Sequence, residues 1–283
     1  MSALGRLSPF GPIFTKELRV GARRKRTYAL RVGYLAVLLL ALLGAYGSVG
    51  IGRAGGVAAQ AERQQALGFA FFTAFTVCLM GTMTIVAPVL TANAIGAERL
   101  ARTLPVLLMT PITSWQVVGG KLFSRLLTAL TLVGLSLPVL AMVRLLGGVE
   151  LWQMGAVIGL AVSFAVGSAA IGQFYSLFIS RPAYVILLAY ATLGFLYVLL
   201  PVCAIAILHP RRPPTTGVMQ TYIALNPGMA VASVVTPMGR MVTGDAWAGA
   251  VAVQLALGAA LTAWTAALLR RQARRQGERP DGA

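Results

Sequence analysis

Acidic side chains are scarce in this chain: seven in 283 residues, at Glu17, Glu62, Glu98, Glu150, Asp245, Glu278 and Asp281. No two stand at a spacing suited to paired acid–base work, and none lies deep in an apolar run. There is one histidine, His209, next to Pro210, and there are two cysteines, Cys78 and Cys203. A zinc site built from His and Cys, and a histidine-based triad, are excluded by those counts. Both cysteines fall inside apolar runs and read as packing residues, with no disulfide implied. Serines and threonines within the runs have no base beside them, so an intramembrane enzyme fails for want of a nucleophile–base pair, and these hydroxyls read as helix–helix hydrogen bonders. Runs so poor in charge also weigh against a carrier driven by protons or sodium, which needs ionisable groups near the midplane. A nucleotide loop is missing too. Gly119-Gly120-Lys121 is followed by Leu122, and the first glycine of a phosphate loop would have to stand at Trp115. No cofactor is expected to bind this chain.

What is abundant is apolar surface. The chain is 58% hydrophobic and 11% charged, with a mean hydropathy of +0.79. A soluble core of this size does not hide that much, so the class is integral membrane protein, all-α. Six runs match the ~20 residues that a helix needs to cross the hydrocarbon core: about 28–50, 66–92, 122–146, 152–178, 183–208 and 247–269. They predict one transmembrane domain over 28–269, after a segment 1–27 and before a basic tail 270–283. The first run follows about thirty residues of basic sequence and has no small-residue cleavage site, so it is expected to be retained as a span. The net charge of +17 belongs to residues that flank the runs without interleaved aromatics. Topology and anionic lipid headgroups account for it, and nucleic acid is not expected as a partner. Only Arg53, Arg63, Arg144, Arg211, Arg212 and Arg240 of the 24 basic residues fall outside if both termini are cytoplasmic, which is the orientation that the positive-inside rule selects.

Four local patterns stand out. PIFTKELRVGARRKR, before the first run, mixes Ile13, Phe14 and Leu18 with Lys16, Glu17 and Arg19 and predicts an interfacial amphipathic helix. Gly155, Gly159, Ser163 and Gly167 recur every four residues and form one small-residue stripe, which lets a second helix approach closely. In the connection 209–246, Asn226 can cap a short helix that has Pro227 at its first position. Met229 to Val235 is too short to span, and either a re-entrant or a lipid-surface helix suits it. The fourth pattern is ERLARTLPVLLMTPITSWQVVGGK, Glu98 to Lys121. Glu98 and Arg102 pair one turn apart, Pro105 disrupts the helix, and Thr110-Pro111 forces a bend. Thr113 and Gln116 then match a capping box that opens the helix into the third span. The product is a bent cytoplasmic knuckle, suited either to passing force from a partner or to resting on lipid as a connector.

That stretch resembles the signature of type-2 ABC (ATP-binding-cassette) transporter permeases, E-x-x-x-G-T-L-x-x-L-L-x-T-P followed by G-K. The matching residues are Glu98, Thr103, Leu104, Leu107, Leu108, Thr110, Pro111, Gly120 and Lys121, while Arg102 stands where the family has glycine. Lys16, Glu17 and Leu18 are similar to the family's elbow helix, and Leu225-Asn226-Pro227 falls where the family has an outer re-entrant segment. The resemblance implies a six-span export-type permease that pairs with a second copy or a paralogue in a bacterial-type cytoplasmic membrane. It implies a separate ABC ATPase subunit that uses the ATP and receives the coupling helix around Glu98–Pro111. Glu98 would make a charge contact there, and Leu107, Leu108 and Pro111 would shape the knuckle. The alternative is a non-transporting membrane scaffold that docks a cytoplasmic partner through the same stretch.

Overall fold

The computed structural model describes residues 25–49, 57–97, 113–147, 149–208, 215–236 and 245–277. Among them there is no strand. The helices are α1 (Lys25–Ser48), α2 (Val57–Thr91), α3 (Ser114–Leu145), α4 (Leu151–Phe178), α5 (Pro182–Gly194), α6 (Leu200–Leu208), α7 (Thr216–Leu225), α8 (Pro227–Val235) and α9 (Ala246–Gly277). A π turn, Phe195–Leu199, joins α5 to α6. Six helices are long and apolar enough to cross a membrane, with α5 to α6 counting as one. The chain is a multi-pass membrane protein with a helical-bundle fold.

The six expected spans are present, with shifted ends. The second helix starts at Val57 and carries Glu62 and Arg63 along its first turns. The third starts at Ser114 because Thr113 caps it: Thr113 Oγ1 accepts from Gln116 N at 3.3 Å, and Thr113 N donates to Gln116 Oε1 at 3.1 Å. Lys121 therefore lies inside a helix and is buried, where hydropathy alone counts it among the loop cations. Cys203 is exposed on α6 and is not a packing residue, while Cys78 is half-buried. Neither α7 nor the π turn was expected.

Turns fix the order of the bundle. Gly147 closes α3 with φ +87°, a left-handed conformation that favours glycine. Its N–H donates to Arg144 O at 3.0 Å. Pro182 opens α5 at its first position, where a missing N–H has no cost to the helix. Strict alternation of direction then places the ends of α2, α4 and α9 and the starts of α3 and α5 on one face, called the root face below. The α7–α8 pair lies at the opposite face.

The core forms around α4. Its residues Ala156, Val157, Leu160, Ala161 and Ala165 are fully buried against Phe72, Phe75, Leu79 and Met83 of α2 and Leu132 and Leu140 of α3. In lipid there is no hydrophobic drive between helices, so close packing of small residues must replace it. Two glycines show how tight it is. A Cβ at Gly172 would stand 2.5 Å from Thr91 Oγ1 and 3.0 Å from Pro88 O, and one at Gly258 of α9 would stand 2.7 Å from Val166 Cγ1 of α4. Within the expected stripe, Gly167 lies against Gln254 of α9 and Gly159 against Val251, and Ser163 is buried. Gly155 is the departure, because it is exposed and nothing approaches its Cβ position.

Candidate functional site

At the root face, three side chains tie together pieces of chain that are distant in sequence. Ser176, fully buried near the end of α4, accepts through Oγ from two backbone amides, Ile95 N at 3.1 Å and Gly96 N at 3.0 Å. A serine oxygen has two lone pairs, and these two amides follow directly on the end of α2. Gln173, one turn earlier, donates through Nε2 to Val118 O on α3 at 2.8 Å, while its buried Oε1 has no donor. Lys121 donates through Nζ to Ala94 O at 2.6 Å. That carbonyl sits just past the C-terminal end of α2, where the helix dipole favours a cation. Gly96 lets the turn close on α4, since its Cβ position is 3.1 Å from Ile179 O. Ile95, Val117, Val118, Leu177, Ala266 and Leu269 fill the space among these ties. Residues 94–97 and 113–121, on either side of the stretch 98–112, are thus bound to the end of one helix.

At the opposite side, α7 and α8 are bent by 116° at Asn226. Asn226 caps α8, accepting through Oδ1 from Gly228 N at 2.9 Å and Met229 N at 3.4 Å. Its Nδ2 donates to Tyr197 O at 2.6 Å. The reason is local: the residue four after Tyr197 is Pro201, which has no N–H, so the Tyr197 carbonyl lacks the usual helical donor. Tyr197 OH in turn donates to Gln254 Oε1 at 2.7 Å, and its ring meets Phe164 edge-on with centroids 5.3 Å apart. Pro227, Ala230, Ser233, Val234 and Val235 are buried, and Gln153 Nε2 of α4 donates to Val234 O at 3.0 Å. The α8 helix is therefore packed into the bundle, not laid on its surface.

Between α2, α5, the π turn and α8 lies a cavity of about 560 Å³. Val77, Met80, Phe164, Leu193, Val198 and Val231 make most of its wall. Its polar groups are already spent inside the protein: Thr84 Oγ1 donates to Met80 O, Tyr190 OH to Ile85 O, and Tyr197 and Asn226 are bonded as above. A wall of this kind holds apolar matter through contact alone.

Of the residues that sequence singled out, Glu98, Arg102, Thr103, Leu104, Leu107, Leu108, Thr110 and Pro111 lie outside the described residues, as do Lys16, Glu17 and Leu18. Asn226 and Pro227 stand at the bend between α7 and α8. Gln173, Ser176, Tyr197 and Gln254 were not anticipated; a buried amide or hydroxyl in an apolar helix is the one signal that marks the first, second and fourth. No group of three or more His, Cys, Asp or Glu able to hold a metal occurs among the described residues.

No curated protein matches the chain. The family described as ABC-2 family transporter protein matches residues 12–272. With six membrane-capable helices and nearly its whole length inside that match, the chain belongs to the ABC-2 family of transporter membrane proteins.

Proposed function

We propose that this chain is the permease subunit of an ATP-driven exporter, forming the translocation path with a second copy or a paralogue and drawing energy from a separate ATPase. The observation that carries this reading is the root face. The two ends of the stretch 98–112 are bound by side chains to the buried end of α4, an investment that a passive connector on lipid does not need. Residues 98–112, with Glu98, Arg102, Thr103, Leu104, Leu107, Leu108, Thr110 and Pro111, dock the ATPase, and Lys16, Glu17 and Leu18 belong to an elbow helix. Both termini are cytoplasmic, in a bacterial-type inner membrane. ATP is bound and hydrolysed by the partner, and this chain supplies no catalytic residue. The cargo is apolar or amphipathic, in keeping with a cavity lined mostly by aliphatic and aromatic side chains.

The test is purification of the tagged chain in mild detergent, with and without Leu107→Asp. An ATPase that copurifies with the wild type and is lost in the variant supports the reading, as does loss of permease-stimulated ATP hydrolysis in Glu98→Ala with membrane insertion intact. Wild-type ATPase coupling in both variants removes residues 98–112 from the interface. A partner that binds without any stimulation of ATP hydrolysis points to the scaffold instead.

A further inference from the structure

We propose that Ser176, Gln173 and Lys121 are positioning residues that make both roots of the stretch 98–112 one rigid body with α4, so that a load on the stretch runs down α4 to the bent α7–α8 pair. The clamp itself stands on geometry; that a partner ATPase supplies the load rests on the function proposed above.

Covalent continuity alone would send such a load into α2 and α3. Both are compliant near their middles or ends, because Pro88 in α2 and Pro138 in α3 each remove one helical hydrogen bond. Of the three helices that these hydrogen bonds join, α4 alone has no internal proline. It is 28 residues long, about 42 Å at 1.5 Å per residue, and it is the most buried of the six spans, at 67%. Interiors of that density pass on displacement instead of absorbing it.

The two ends of α4 are alike in one respect. At the root, Gln173 holds Val118 O and Ser176 holds Ile95 and Gly96. At the far end, Gln153 accepts through Oε1 from Glu150 N at 2.8 Å and donates through Nε2 to Val234 O at 3.0 Å. One glutamine amide thus joins the start of α4 to the end of α8. Lys121 completes the root by binding the end of α2 to α3, so that the two roots shift together or not at all. The donorless Oε1 of Gln173 is a buried acceptor left over in this arrangement.

The test uses the full chain in lipid nanodiscs, alone and with the ATPase plus a non-hydrolysable ATP analogue, read by hydrogen–deuterium exchange. In the chain alone, Ser176→Ala should speed exchange over residues 92–97 by about tenfold or more, the factor for ~1.4 kcal/mol of lost protection. With ATPase and nucleotide, protection over residues 216–236 should change in the wild type. In Ser176→Ala combined with Lys121→Met, ATPase binding should persist and that distant change should vanish. If the double variant does not fold, Gln173→Leu, which removes the tie to Val118, takes its place. Unaltered exchange over 92–97 in Ser176→Ala overturns the clamp whatever the ATPase does. A distant response that survives loss of the clamp overturns transmission along α4. An ATPase that never binds the wild type sinks the functional reading instead, and the first arm still decides the clamp.

Discussion

The first and fourth spans have almost the same mean hydropathy, 1.9 and 2.0, yet 11% of the first is buried and 67% of the fourth. Hydropathy therefore says which helices enter lipid and is silent on which become the core. Side-chain size makes the difference. The α1 helix is rich in leucine, and Val37, Leu39, Leu40 and Leu43 are exposed. The α4 helix interleaves glycine, alanine and serine, so that α2 and α9 come within backbone contact of it. In a solvent as apolar as the side chains, a helix becomes central by being thin.

That contrast breaks first at Gly172. Gly172→Leu drives a side chain into the Pro88 and Thr91 backbone and side chain of α2, and overpacking of this kind should lower stability by about 3 kcal/mol. Thermal unfolding in detergent, with yield of folded protein as a second readout, checks it. Asn226→Ala comes next, at about 2 kcal/mol, because it loses the α8 cap and the tie to Tyr197 O together. Asn226→Ser keeps a capping oxygen and loses the Nδ2 donor, so about 1 kcal/mol is expected from the same melt. Smallest of all is Gly44→Leu on α1, where nothing lies within 4 Å of the Cβ position. In the isolated chain it should shift stability by less than about 0.5 kcal/mol. A large effect of Gly44→Leu confined to the assembled complex would show that α1 acquires a neighbour there, which sharpens the comparison: α1 would then be peripheral to the chain and internal to the assembly.

Much of the fold was legible. Apolar runs located six spans, and Thr113 with Gln116, and Asn226 with Pro227, marked two helix starts through local chemistry that leaves a clear trace in sequence. The site was less legible for a physical reason. Ser176 and Gln173 act on carbonyls and amides 55 to 81 residues away, and no local spacing encodes such a partner. Lys121 misled for the opposite reason. A lysine at the edge of an apolar run looks like a headgroup anchor, and only the end of α2, brought beside it, turns it into a buried donor. Gly155 continued a four-residue repeat, yet nothing lies within 4 Å of its Cβ position.

The π turn has a consequence of its own. Closing a five-residue step where an α-helix closes four inserts one surplus residue between α5 and α6. At 3.6 residues per turn, one residue is about 100° of rotation, so Leu200–Leu208 sit about that far from where an unbroken α-helix of the same sequence would put them. The π turn absorbs the surplus. Removing one residue at Val198 or Leu199 would let the step close as an ordinary α turn and leave both Pro182–Gly194 and Leu200–Leu208, with the exposed Cys203, on the faces they now hold.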